Sequence, residues 1–138
     1  MKTFYAVIDT NVLVSALLKP SSIPGQVLKH VFVGRIIPLI DERIIDEYRD
    51  VLMRPKFQFE IDSIERLITE YEKCAINVKA APSTEVFIDR DDVIFYEVAM
   101  EKQSESAYLV TGNLKHYPLK PFIVTAREML EIISEIEE

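Results

Sequence analysis

One cysteine, Cys74, is all the thiol this 138-residue chain has. It cannot close an internal disulfide, and no Cys or His stands near enough in sequence to make a metal motif with it. That excludes a disulfide-stapled secreted fold and leads us to expect a reducing compartment and a bland, partly buried thiol. Long apolar runs are lacking as well: no stretch of 18 or more apolar residues exists, so neither a membrane span nor a membrane partner is expected. The apolar N-terminal stretch is interrupted by Asp9 and followed by no small-residue cleavage site, so it does not read as a signal peptide. A cytoplasmic protein is the expectation. Positive charge is also in short supply, with a formal net charge of −7. Such a surface does not grip nucleic acid by charge alone. An acidic site that captures metal ions can nevertheless bind phosphate through those ions.

What is present fits one globular domain over residues 1–138: hydrophobic residues make up 49% and charged residues 28% of a chain long enough for one sizeable core and too short for two. Phe4 to Leu18, FYAVIDTNVLVSALL, reads as a buried strand, a tight turn and a buried helix. Asp9 falls at the carboxyl end of that strand, where open α/β sheets place their ligand crevice, and Asn11 is a suitable N-cap for the helix. Residues 19–25 are rich in breakers and read as a loop, followed by a helix from Gln26 to Val33 ended by Gly34. A second strand is expected over Ile36–Ile40, then a helix from Asp41, its N-cap, to about Met53. A further helix spans about Asp62–Cys74, with a third strand over Ala75–Lys79. Residues 80–92 read as a loop delivering the acids Asp89, Asp91 and Asp92 to a helix of about 92–102. Strands over Ala107–Thr111 and Phe122–Val124 and a terminal helix over Ala126–Ile136 complete the chain. Alternating strands and helices imply a parallel sheet with helices on both faces.

Three acids stand beside core residues instead of on a solvated face. Asp9 interrupts an apolar run. On the helix after Asp41, the apolar stripe is Ile44, Ile45, Tyr48, Val51 and Leu52, and at about 100° per residue Glu47 lies about 40° from Val51. Asp46 and Asp50 point away. Asp92 opens a helix that is apolar on most sides. Glu97, five residues on, lies about 140° round the helix from Asp92 and does not share its face. Carboxylates converging in a crevice repel one another unless a cation sits between them, and oxygen ligands of this kind suit Mg²⁺ or Mn²⁺, not Zn²⁺. Plainer readings stand beside these: a turn residue for Asp9, a surface acid for Glu47, a helix N-terminal acid for Asp92, and a Gly-Asn turn for Asn113.

The ordered set Asp9-Thr10-Asn11-Val12, Glu47, Asp92 leading into Phe95 and Ala99, and Tyr108 to Asn113 resembles the PIN-domain nucleases over essentially the whole chain. With Arg54-Pro55-Lys56-Phe57 and Thr111 to Pro118, it is similar to small stand-alone prokaryotic PIN proteins often described as toxins of toxin–antitoxin pairs. The resemblance implies a Rossmann-like three-layer α/β/α sandwich with a central parallel sheet, and Mg²⁺- or Mn²⁺-dependent endoribonuclease activity on RNA. By position, Asp9, Glu47 and Asp92 become the catalytic, metal-binding acids. Thr10, Asn11 and Thr111 become groups that orient ligands or substrate, with Asp89 and Asp91 as caps or outer partners of the metal site. The family commonly has a fourth acid where Asn113 stands; an amide oxygen can ligate a hard cation but brings no charge, so one ion or two are both open. An antitoxin protein and a second copy of the chain are the partners such proteins take.

Arg54, Lys56, Lys115 and Lys19 are candidate phosphate contacts, with Phe57 or Tyr117 available to stack on a base. His30 and His116 are isolated in sequence; His116 lies near the crevice and is a candidate substrate contact. Haloacid-dehalogenase-type phosphatases need a second Asp two residues after the first, where this chain has Asn11. Receiver domains need an acidic pair before the first helix, which is missing. The rival of a different class is a PIN-fold module with weak or no turnover that binds RNA or a partner protein, a reading that Asn113 favours and the three retained acids oppose.

Overall fold

The computed structural model describes residues 2–85 and 90–137. Strand β1 (Phe4–Ile8), at the centre of the sheet with a parallel neighbour on each side, is an unbroken apolar run because both of its faces are covered. Phe4 pairs with Ile36 and Ala6 with Pro38 on β2 (Ile36–Ile40), while Ala6 pairs with Tyr108 and Ile8 with Val110 on β4 (Tyr108–Val110). With β3 (Ile76–Asn77) outside β2 and β5 (Ile123–Val124) outside β4, the order is β3-β2-β1-β4-β5, all parallel. Among the described residues six α-helices flank this sheet: α1 (Thr10–Leu18), α2 (Ile23–Phe32), α3 (Glu42–Leu52), α4 (Ile61–Cys74), α5 (Val93–Glu101) and α6 (Ala126–Glu137). The architecture is the expected α/β sandwich with a central parallel sheet. Pro38 lies inside β2 but where β3 does not reach, since β3 pairs only with Leu39 and Ile40. A strand proline is tolerated at such a one-sided position.

Local chemistry sets the ends of the elements. Asp41 caps α3 as expected, its carboxylate accepting from the Ile44 N–H at 3.0 Å. Helix α2 starts three residues earlier than the breaker-rich sequence suggests. Ser22 caps it by accepting from the Gly25 N–H at 3.2 Å, and Pro24 sits in the first turn, where a missing N–H costs nothing. A Cβ on Gly25 would stand 2.1 Å from the Pro20 carbonyl oxygen, so the chain closes here only around glycine. The other end of α2 is a Schellman turn: Gly34, at φ +85°, donates to the Val31 carbonyl, and Arg35 donates to that of His30. Strand β3 is shorter than expected. Val78 N–H still donates to the Ile40 carbonyl at 2.8 Å, but β2 ends there as the chain turns into α3, leaving Lys79 nothing to pair with.

The core behind the site is aromatic. Tyr48 on α3 meets Tyr71 on α4 edge-on, ring centroids 5.5 Å apart, and lies 6.2 Å from Phe95 on α5. The Tyr48 hydroxyl donates to the Ile8 carbonyl at 2.5 Å and lies 3.4 Å from that of Tyr71, so α3 is pinned to the last residue of β1. Burial pushes both phenols above their ordinary range and keeps them neutral. Among the described residues no helix is long and apolar enough to cross a membrane.

Candidate active site

The chain runs from β1 outward to β2 and β3 on one side and to β4 and β5 on the other. The gap between the ends of β1 and β4 is therefore the topological switch point, where such sheets bind ligands. Asp9 stands there, 4% exposed. It is also the residue that precedes α1, at φ −63° and ψ 146°, although its side chain makes no capping bond. The expectation of Asn11 as N-cap is thus corrected: Asn11 lies inside the first turn, and its Oδ1 accepts from the Gly112 N–H at 3.2 Å, tying α1 to the loop after β4. The Asp9 carboxylate turns instead to β4 and the loop beyond. Its Oδ2 accepts from Thr111 Oγ1 at 2.7 Å and from the Tyr117 hydroxyl at 3.0 Å. Burial pushes this carboxyl above its ordinary value, and the two hydroxyls, which favour the charged form, offset part of that push.

Opposite Asp9, a cavity of about 360 Å³ opens between α1, α3 and α5. Asp9, Thr10, Asn11, Glu47, Asp91 and Asp92 all line it. The stripe geometry of α3 explains Glu47: it shares the cavity wall with Val51, while Asp46 and Asp50 are exposed. Asp92 is buried at the start of α5, and its Oδ2 lies 3.1 Å from His116 Nδ1. Arg54 and Phe57 close the outer rim. The donor set consists of carboxylates with neutral hydroxyl and amide oxygens, the chemistry that suits a hard divalent cation. The buried Thr10 hydroxyl, which finds no hydrogen-bond partner among the described residues, adds an unused oxygen to that wall. The carboxylates nevertheless stand around the cavity; among the described residues no three Asp, Glu, His or Cys side chains converge closely enough to hold one ion.

Other candidates fall elsewhere. Asn113 is exposed and lines a neighbouring hollow, not the acidic cavity. Thr111 is fully buried and reaches both, through its bond to Asp9 and its place in that hollow. Asp89 lies outside the described residues. Arg54 sits at the rim, 3.4 Å from Asp50, whereas Lys56 lies over the Phe57 ring and Lys115 is on an exposed turn. Tyr117 is 7% exposed with its hydroxyl on Asp9, so its suggested stacking on a base is corrected: it is part of the wall that holds the carboxylate. Glu97 is buried at 8% on α5, where it accepts from Arg43 at 2.6 Å and from the Ser83 N–H at 2.6 Å. This pair clamps α3 to α5, the helices that carry Glu47 and Asp92. A larger hollow, about 520 Å³, lies beside Arg43 and Lys79; its one Arg is already held by Asp41 and Glu97.

The match that decides the family covers most of the chain: the family model described as PIN domain fits residues 5–115, from β1 to the turn after β4. The chain belongs to the PIN domain family. Over 110 residues it is also 30% identical to an uncharacterized protein of Methanocaldococcus jannaschii, an alignment that spans 78% of this chain and 69% of that protein. PIN domains are in general metal-dependent nucleases acting on RNA, which places this PIN protein, at that coarse level, among the hydrolases of phosphodiester bonds.

Proposed function

We propose that this PIN protein is a Mg²⁺- or Mn²⁺-dependent endoribonuclease that works in the acidic cavity, and that it acts as the toxin of a toxin–antitoxin pair. The observation that carries the reading is the gathering of Asp9, Glu47 and Asp92 from three different elements around one cavity at the switch point of the sheet. A divalent cation bound there would supply the charge that lowers the pKa of a water and stabilises a leaving oxygen. Asp9, Glu47 and Asp92 would hold it once their side chains turn inward from the cavity wall, with Asp91 as an outer partner, and one ion or two both stay open. The rest is the work of this chain's own groups. Thr111 and Tyr117 hold the Asp9 carboxylate in one orientation and favour its ionised form. His116 orients Asp92. Arg54 meets the phosphate of an RNA strand entering past Phe57, with Lys56 and Lys115 further along.

A second reading has its own support. Among the described residues the carboxylates line the cavity without forming a close cluster of three, and Asn113 stands where the family commonly has an acid, which favours a module that binds RNA or a partner protein with little turnover. The deciding experiment incubates the purified protein with single-stranded RNA, structured RNA and single-stranded DNA, with Mg²⁺, with Mn²⁺ and with chelator, beside Asp9→Asn. Cleavage that needs metal and disappears in the variant supports the nuclease. Metal binding without cleavage moves the weight to the binding module or to a toxin awaiting release from its antitoxin. A homodimer is part of the same proposal and is read by light scattering.

A further inference from the structure

Beside the acidic cavity lies a second hollow of about 300 Å³, and the two meet at Asn11 and Ser15, which line both. It sits over the ends of β1, β4 and β5, so it shares the switch point with Asp9. Its chemistry is different. Among the described residues no charged one lines it; its polar lining residues are Asn11, Ser15, Thr111, Asn113 and Thr125. Much of their bonding capacity is unspent. Asn11 uses its Oδ1 on Gly112 and keeps its amide donors. Thr125 accepts from the Glu128 N–H and keeps its own proton to donate. The backbone N–H of Asn113 is taken by Thr111, at 3.0 Å, and its side-chain amide carries both a donor and an acceptor.

A hollow whose lining pairs neutral donors with neutral acceptors holds no counter-charge for a cation. It suits a flat, neutral, hydrogen-bonding group of the size that small ligand pockets of about 300 Å³ accept. We infer that this hollow binds the nucleobase next to the scissile phosphate, and that Asn113 with Ser15 reads its edge. The inference rests on the nuclease reading and refines it. Asn113 then ceases to be a weakened metal ligand and becomes a specificity residue, one step along the strand from the acids. Amide side chains are suited to the role because they offer a donor and an acceptor together, and one such bidentate contact discriminates between bases by about 1–3 kcal/mol, roughly 5- to 150-fold.

Two measurements test this. In the first, a random-sequence RNA pool is cut with Mn²⁺ and the cut ends are sequenced. The wild type is expected to prefer one base at a position flanking the cut by at least 5-fold, and Asn113→Ala and Ser15→Ala to flatten that position while other positions keep their profile. An unchanged preference in Asn113→Ala overturns the inference. Asn113→Asp separates the two roles of the residue: Mn²⁺ binding, followed by calorimetry, tightens markedly if position 113 faces the ion and stays within 2-fold if it faces a base. In the second measurement, the four nucleoside 5′-monophosphates are titrated in chelator while the side-chain amide signals of Asn11 and Asn113 are followed by NMR. Base-dependent shifts support the hollow as a nucleoside site even where no RNA is cut, so the nuclease reading can fail alone. No shift, or equal shifts with all four, overturns the inference while leaving the nuclease reading to its own test.

Discussion

Replacing Tyr117 by phenylalanine removes one hydroxyl from the wall around Asp9 and leaves the ring in place. That hydroxyl donates at 3.0 Å to an oxygen of a carboxylate only 4% exposed. A hydrogen bond to a charged group contributes about 1.5–3 kcal/mol and one to a neutral group about 0.5–1.5 kcal/mol. Thr111 keeps its own bond to the same oxygen at 2.7 Å, so the loss belongs in the lower half of the first range, about 2 kcal/mol near neutral pH. In an Asp9→Asn background the hydroxyl meets at best an amide oxygen, and its removal should cost only about 1 kcal/mol. The coupling in the double-mutant cycle is then about 1 kcal/mol. Urea unfolding of the four proteins at pH 7 in chelator measures it directly. Equal costs in the two backgrounds, within the roughly 0.3–0.5 kcal/mol by which independent sites add, would show that the hydroxyl is not bound to the charge and that the Asp9 wall has been misassigned.

The remaining predictions concern the same framework. The Asp9 carboxyl is raised by burial, so the folded state binds its proton more tightly than the unfolded state does. Stability is therefore lost as pH rises from 3.8 through the raised value. Asp9→Asn should gain on the wild type over that window in chelator, and parallel stability curves for the two proteins would contradict the shift. Arg43→Met leaves Glu97 buried without its cation and should cost about 2–4 kcal/mol, with Glu97→Gln milder because Ser83 keeps an acceptor; a loss under about 0.5 kcal/mol in urea would mean that the clamp is idle. Tyr48→Phe strips the buried Ile8 carbonyl of its donor and should cost about 1–3 kcal/mol, whereas Tyr71→Phe, which loses only a 3.4 Å contact, should cost less. Thermal unfolding ranks the two, and the reverse order would refute the pin between α3 and β1.

The elements that were legible in the sequence are those whose signals are local. β1 could be read because a strand with both faces covered by helices is apolar at nearly every position, so a lone acid at its end stands out. Asp41 could be read as a cap because its partner, Ile44 N–H, is three residues away. The inward placement of Glu47 followed from helical geometry on α3, a helix with a clear polar face. Asn11 shows the limit of such reasoning. It has the chemistry of a cap, but helix α1 begins one residue earlier, and its amide is claimed by Gly112, 101 positions along the chain. The groups that orient Asp9 are likewise remote: Thr111 is 102 residues away and Tyr117 is 108. No spacing rule encodes them, since they are brought together by the pairing of β4 with β1.

Glu97 is the instructive miss, because a physical signal was present without a periodic one. Its neighbours Phe95, Tyr96, Val98 and Ala99 are all buried, and α5 has no polar stripe on which an acid could sit. Periodicity assigns faces only when a helix has two kinds of face, so comparing Glu97 with Asp92 by angle could separate them but could not say where Glu97 goes. Energetics says more. A carboxylate enclosed by such neighbours costs several kcal/mol unless a cation and hydrogen-bond donors meet it, so its presence requires an arginine or lysine from another element and a backbone N–H at the second oxygen. The structure supplies both, in Arg43 one turn before Glu47 and in the Ser83 N–H of the segment leading toward Asp91 and Asp92. A buried acid outside the acidic cavity thereby ties together the two helices whose acids line it, so a salt bridge beside the cavity helps hold its walls.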